Sequence, residues 1–153
     1  MRTTKPVLLV EDDNIDAMTV ARAFKDLKLT NRLARCTNGE EALAYLRDPS
    51  HEEPCVILLD LNMPRMNGTE FLKVAKNENC LKTIPVIVLT TSNEERDVVE
   101  SFRLSVAGYI IKPVDYKKFV EAIRTIDLYW TLSELPDRET GVKDAQVQTA
   151  VVG

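Results

Sequence analysis

Four short apolar runs, each stopped abruptly by polar residues, punctuate this chain. Val7-Leu8-Leu9-Val10 ends in Glu11-Asp12-Asp13, and Val56-Ile57-Leu58-Leu59 ends in Asp60. Val86-Ile87-Val88-Leu89 ends in Thr90, and Gly108-Tyr109-Ile110-Ile111 ends in Lys112-Pro113. A continuous apolar run of this length predicts a strand buried on both faces and ending at the polar rim of a sheet. Leu33 to Cys36 is a fifth, weaker strand candidate.

The segments between the runs carry helix signals. Ile15, Met18, then Ala21 or Arg22, form an apolar stripe that predicts a helix over 15–27. Thr37-Asn38-Gly39-Glu40-Glu41 opens a second helix with capping-box chemistry, with Ala42, Leu43, Tyr45 and Leu46 on one side. Asn67-Gly68 marks a turn before a helix over 70–75. Ser92 and Glu95 have capping-box spacing for a helix over 94–104, and Asp115 is a good N-cap for a last helix reaching about Leu132.

Strand and helix therefore alternate five times. Parallel strands need crossovers, and crossovers cover both sheet faces. The expected fold is α/β: a doubly wound five-stranded parallel sheet with helices on both faces. Such sheets bind ligands at the carboxyl ends of their strands, near the switch in strand order. That rule places Asp12, Asp13, Asp60, Thr90 and Lys112 along one edge.

With 153 residues the chain holds one domain, expected over 1–135, and a tail over 136–153 expected to be disordered. The net charge is −4 and the 20 basic residues are scattered, which argues against nucleic-acid binding. No apolar run is long enough to span a membrane, and the polar start shows no signal peptide. Cys36, Cys55 and Cys80 are widely separated, without a CxxC pair, and fit free thiols in a reducing cytoplasm. His51, the only histidine, lies in an acidic Pro-flanked loop and is given no role.

Three carboxylates on one rim repel one another unless a cation sits among them. Oxygen-only ligands suit Mg²⁺, with Mn²⁺ as a substitute. Singly, Asp12 and Asp13 read equally well as loop acids or as an N-cap of the first helix. A carboxylate can also act as a nucleophile and form an aspartyl phosphate. Lys112 adds a point charge and Thr90 a hydroxyl, groups that suit the charge spreading over phosphoryl oxygens.

Over about residues 5–132 the chain resembles the receiver domains of two-component response regulators. The matching pieces are Leu9-Val10-Glu11-Asp12-Asp13, Leu58-Leu59-Asp60-Leu61-Asn62-Met63-Pro64, Met66-Asn67-Gly68, Pro85 to Thr90 and Gly108-Tyr109-Ile110-Ile111-Lys112-Pro113. The resemblance implies a flavodoxin-like strand order, 2-1-3-4-5. It also implies that Asp60 is the phosphoacceptor, that Asp13 binds Mg²⁺ directly, and that Asp12 acts through the metal's water. The Asn62 backbone carbonyl takes a coordination position, and Thr90 and Lys112 hold phosphoryl oxygens. Thr90 and Tyr109 are the implied switch, altering the face formed by the fourth helix, the fifth strand and the fifth helix. Asn62 and Ser92 match positions that tune phosphoryl lifetime, and Thr91 stands where many members have alanine.

Val88 to Asn93, with no output domain, looks like the stand-alone regulators paired with bacterial phytochrome kinases. The implied donor is a sensor histidine kinase or a histidine phosphotransfer protein. The implied activity is limited to the chain's own phosphorylation and dephosphorylation, so it is not an enzyme in the ordinary sense. Tyr129 and Trp130, on an apolar end of the last helix, are the expected interface of a homodimer. Three rival readings fit the sequence less well. A pseudo-receiver would act as an interaction module without phosphorylation, against the intact Asp60, Thr90 and Lys112. A phosphatase of the aspartyl-phosphate type wants an acid where Asn62 stands. A flavin carrier wants a phosphate-cradling loop where Glu11-Asp12-Asp13 would repel phosphate.

Overall fold

The computed structural model describes residues 5–61, 63, 65–90, 106–111 and 115–134, with backbone alone at 90, 109, 111 and 128–134. The expectations for Asn62, Thr91, Ser92, Lys112, the helix over 94–104 and the tail over 136–153 lie outside the described residues. So do those for the side chains of Thr90, Tyr109, Tyr129 and Trp130.

The elements alternate along the chain as β1 (Val7–Val10), α1 (Asn14–Asp26), β2 (Leu33–Cys36), α2 (Gly39–Arg47), β3 (Val56–Asp60) and α3 (Gly68–Ala75). β4 (Val86–Thr90), β5 (Gly108–Ile111) and a C-terminal helix, Tyr116–Glu134, follow. All pairings are parallel, and the sheet order is β2-β1-β3-β4-β5. The strand order implied by the receiver resemblance is the one observed. The order reverses between β1 and β3, so the crevice outside their carboxyl ends is the expected ligand position.

Side chains alternate across the sheet and build a separate core on each face. Leu9, Leu58 and Leu89 face Val20 and Phe24 of α1 and Phe119, Ile123 and Ile126 of the C-terminal helix. Leu8, Val10, Leu59 and Val88 face Leu43 of α2 and Phe71 and Leu72 of α3. Every residue of β1 and β3 is buried, which explains why both runs lack any polar alternation.

Several helix boundaries shift by one or two residues from the sequence expectation, α1 running Asn14–Asp26 rather than 15–27, and one face differs. α3 starts at Gly68 rather than residue 70, because Asn67 is its N-cap and exchanges both capping-box bonds with Glu70. The C-terminal helix runs two residues past Leu132, to Glu134. On α1 the buried residues are Ala17, Val20, Ala23 and Phe24, while Ile15 and Met18 are 74% and 70% exposed. Two stripes compete on this helix, about 180° apart at 3.6 residues per turn. The one containing Phe24 and the small Ala17 and Ala23 faces the sheet, since it joins the largest apolar side chain to a close approach.

Candidate functional site

At the carboxyl edge, β1 delivers Glu11 and Asp12, and β3 delivers its last residue, Asp60. One carboxylate oxygen from each of these three residues lies within 4.8 Å of the others. Glu11 and Asp60 are buried, at 1% and 4% exposure, and Asp12 is exposed. Like charges this close, two of them shielded from water, repel strongly. A hard divalent cation among them relieves that repulsion, and carboxylate oxygens are the donors it prefers. The residues therefore fit a Mg²⁺ or Mn²⁺ site.

The sequence expectation placed Asp13 in direct contact with the metal. The structure instead gives the Asp13 carboxylate to helix capping: its Oδ1 accepts from the Asp16 N–H at 2.9 Å. The physical reason is position. Asp13 immediately precedes the first turn of α1, where a short carboxylate satisfies an orphan N–H and the helix dipole favours its charge. The acid that joins Asp12 and Asp60 is Glu11, whose longer side chain reaches back to the rim. Glu11 Oε2 also accepts from the Asp13 N–H at 3.2 Å.

The loop that follows Asp60 is pinned by close backbone approach. A Cβ on Gly68 would stand 2.5 Å from the Asp60 carbonyl oxygen and 2.6 Å from Leu61 Cα. The Gly68 N–H donates to the Leu61 carbonyl at 3.0 Å. Further along, the Gly39 N–H donates to the Met66 carbonyl at 2.9 Å, fastening the start of α2 to the same loop. Arg65, just before Met66, has φ 59° in the left-handed region.

A second cluster braces the loop before α1. Arg35 Nε donates to the Glu11 carbonyl and its Nη1 donates to Asn14 Oδ1, both at 2.9 Å. The Glu11 N–H donates to the Cys36 carbonyl at 2.9 Å, continuing the β1–β2 ladder by one residue. Burial first, and the Glu41 carboxylate second, push the Cys36 thiol up to about 11, so it stays neutral beneath the site. Glu41 is held below its usual range by bonds from the Thr37 N–H and hydroxyl, which fix the start of α2.

Of the residues expected from the sequence, Asp12 and Asp60 are thus brought together, and the backbone of Thr90 ends the neighbouring strand at the same edge. Glu11, Gly68 and Arg35 were not among them. Gly68 carried a signal, since a glycine following an N-cap asparagine is a close-approach candidate. Arg35 carried none, because its partners lie 24 and 21 residues away.

A doubly wound sheet with convergent acids at its switch point is the architecture of a receiver, and residues 7–124 match the response regulator receiver domain. The chain belongs to that family. It is 39% identical over 129 residues to the probable methanogenesis regulatory protein FilR2 of Methanothrix harundinacea, covering 81% of this chain and 82% of that protein. It is 37% identical over 130 residues to response regulator Rcp1 of a Synechocystis species, covering 82% and 88%. Among solved structures it is similar to the phosphorylated cyanobacterial phytochrome response regulator RcpA, with TM-score 0.77, 33% identity and 87% and 98% coverage. It is also similar to the Mn²⁺-bound form of Rcp1, with TM-score 0.74, 35% identity and 84% and 94% coverage.

Proposed function

We propose that this chain is a phosphorylation switch in which Asp60 accepts a phosphoryl group beside a divalent cation held by Asp12 and Asp60, with Glu11 shaping the same pocket. The observation that carries this reading is the convergence of the Glu11, Asp12 and Asp60 carboxylates at the switch point of a receiver sheet. It is supported by likeness to one regulator solved with Mn²⁺ and to another solved in its phosphorylated form. When bound, the cation supplies positive charge that offsets the phosphoryl oxygens.

In the transfer, an Asp60 oxygen attacks the phosphorus of a phosphohistidine. The P–N bond breaks, and the imidazole leaves with the bonding electrons and takes up a proton. Asp60 stands at the last position of β3, on the carboxyl edge of the sheet, and the Gly68 contact fixes the strand end that carries it. Thr90 and Lys112 are proposed to hold phosphoryl oxygens, with the Asn62 carbonyl at the metal. The donor is proposed to be a sensor histidine kinase, a phytochrome by likeness to RcpA, or a histidine phosphotransfer protein. Exposed Ile15 and Met18, on the first turns of α1 beside Asp12, form an apolar surface where such a donor can dock. Output is proposed to pass through protein contacts, including self-association by the C-terminal helix at Tyr129 and Trp130.

The test is incubation with acetyl phosphate and Mg²⁺, read by intact mass. A gain of about 80 Da, one phosphoryl group, that disappears in Asp60→Asn and in EDTA is the expected result. No gain would leave an interaction module that works without phosphorylation.

A further inference from the structure

We propose that Arg35 is a positioning residue of this site, holding the acid-bearing loop between β1 and α1 in the geometry that binds the cation; the inference rests on the metal reading above. Arg35 stands on the edge strand β2, yet its guanidinium reaches across to the N-terminal end of α1. That is a costly place for a cation, because the helix dipole already puts positive potential there. What the guanidinium supplies is a planar fork. Nε holds the Glu11 carbonyl and Nη1 holds the Asn14 side chain, both at 2.9 Å. Residues 11 and 14 bracket Asp12 and Asp13, so one side chain closes the loop on both sides of the two acids. Inside it, the Asp13 N–H donates to Glu11 Oε2 at 3.2 Å, and Asp13 Oδ1 accepts from the Asp16 N–H at 2.9 Å. Glu11, Asp13 and Asn14 are thereby each tied at a backbone or side-chain atom, on both sides of Asp12.

Mg²⁺ demands near-ideal ligand placement, and partners that orient ligands from behind are commonly worth about 10–100-fold in affinity. Lysine cannot reproduce the fork, since its ammonium is a compact point charge. A positioning role and a charge role predict opposite signs. If Arg35 contributed only charge, removing it would draw a dication in more tightly; if it positions the loop, removing it weakens binding.

The experiment is calorimetric titration of Mn²⁺ into the full chain, wild type beside Arg35→Ala, Arg35→Lys and Asn14→Ala, with metal-free urea unfolding of each. The expected result is binding about 10-fold weaker in both Arg35 variants and several-fold weaker in Asn14→Ala, with cooperative unfolding retained. Unchanged or tighter binding in the Arg35 variants overturns the proposal, as does Arg35→Lys matching wild type. Should Arg35→Ala fail to fold, Arg35→Lys and Asn14→Ala decide it by the same criterion. A wild type that binds no Mn²⁺ overturns the metal reading itself, and this inference with it.

Discussion

Gly68 lies so close to Asp60 that a single added carbon would stand 2.5 Å from the Asp60 carbonyl oxygen. The atoms it would meet, that oxygen and Leu61 Cα at 2.6 Å, are backbone and cannot rotate away. Gly68→Ala should therefore push the end of β3 outward and cost about 1–3 kcal/mol, the usual range for overpacking. Because the displaced residue is Asp60 itself, Mn²⁺ affinity and acetyl-phosphate labelling should fall together with stability. Gly39→Ala meets Met66 Cγ at 2.7 Å and Sδ at 2.9 Å, ends of a flexible side chain, alongside the Met66 carbonyl at 2.9 Å. Its loss should be the smaller of the two, a difference that urea midpoints and Mn²⁺ titration would show.

Asp12 and Asp13 are adjacent in sequence and divided in role. Asp12→Asn removes a carboxylate from the cluster and should weaken Mn²⁺ binding by at least about tenfold. Asp13→Asn keeps a side-chain oxygen for the Asp16 N–H and should bind Mn²⁺ within a few-fold of wild type. Asp13→Ala should lose the cap and about 1 kcal/mol of stability. Metal titration and urea unfolding of the three variants separate these effects; a large affinity loss in Asp13→Asn would return Asp13 to the metal.

What was legible beforehand follows from the strength of each local signal. The runs at Val7, Val56, Val86 and Gly108 have no polar alternation, so only a sheet covered on both faces can hold them, and the strand-end rule then names the edge. β2, though weakly patterned, was found at Leu33–Cys36 because the polar segments on either side leave it no other bounds. The site was legible as an edge but not in its register. Three consecutive acids point in different directions, and which one faces the pocket depends on where α1 begins. Asp13, with Asp16 three residues on, carries a serviceable N-cap signature, and that role sets it apart from the cluster of Glu11, Asp12 and Asp60. The inner face of α1 differs from the stripe counted from Ile15 because that stripe leaves out Phe24, whose burial outweighs that of Met18. Arg35 illustrates the remainder: a contact across 24 residues leaves no periodicity to read.

The exposed pair on α1 should matter only when the phosphoryl donor is a protein. Ile15→Ser and Met18→Ser remove apolar surface that touches no core, so stability should stay within about 0.5 kcal/mol of wild type. Labelling by acetyl phosphate, which needs no docking, should be unchanged. Transfer from a phosphohistidine protein should slow several-fold, as loss of a docking contact raises its dissociation rate. Rapid-quench comparison of the two donors checks this, and equal slowing with both would place the defect in the pocket instead.

Tyr116 ties the start of the C-terminal helix to the end of α1. Its hydroxyl donates to Asp26 Oδ2 at 2.6 Å, and the Arg22 guanidinium lies 4.2 Å from its ring centre. Desolvation first, then the hydrogen bond to and the charge of Asp26, raise the Tyr116 hydroxyl above its ordinary value of 10.0, with Arg22 opposing. A raised value means that the folded state favours the neutral phenol. The stabilisation from this tie should thus be complete below the unfolded tyrosine value and be lost as pH rises through the folded one. Absorbance titration of tyrosinate, wild type minus Tyr116→Phe, should give a component titrating above 10.0. The stability difference between the two proteins should shrink over that same alkaline interval and stay level from neutral pH up to it. A Tyr116 component titrating at or below the ordinary value would mean that Asp26 does not hold the hydroxyl in solution.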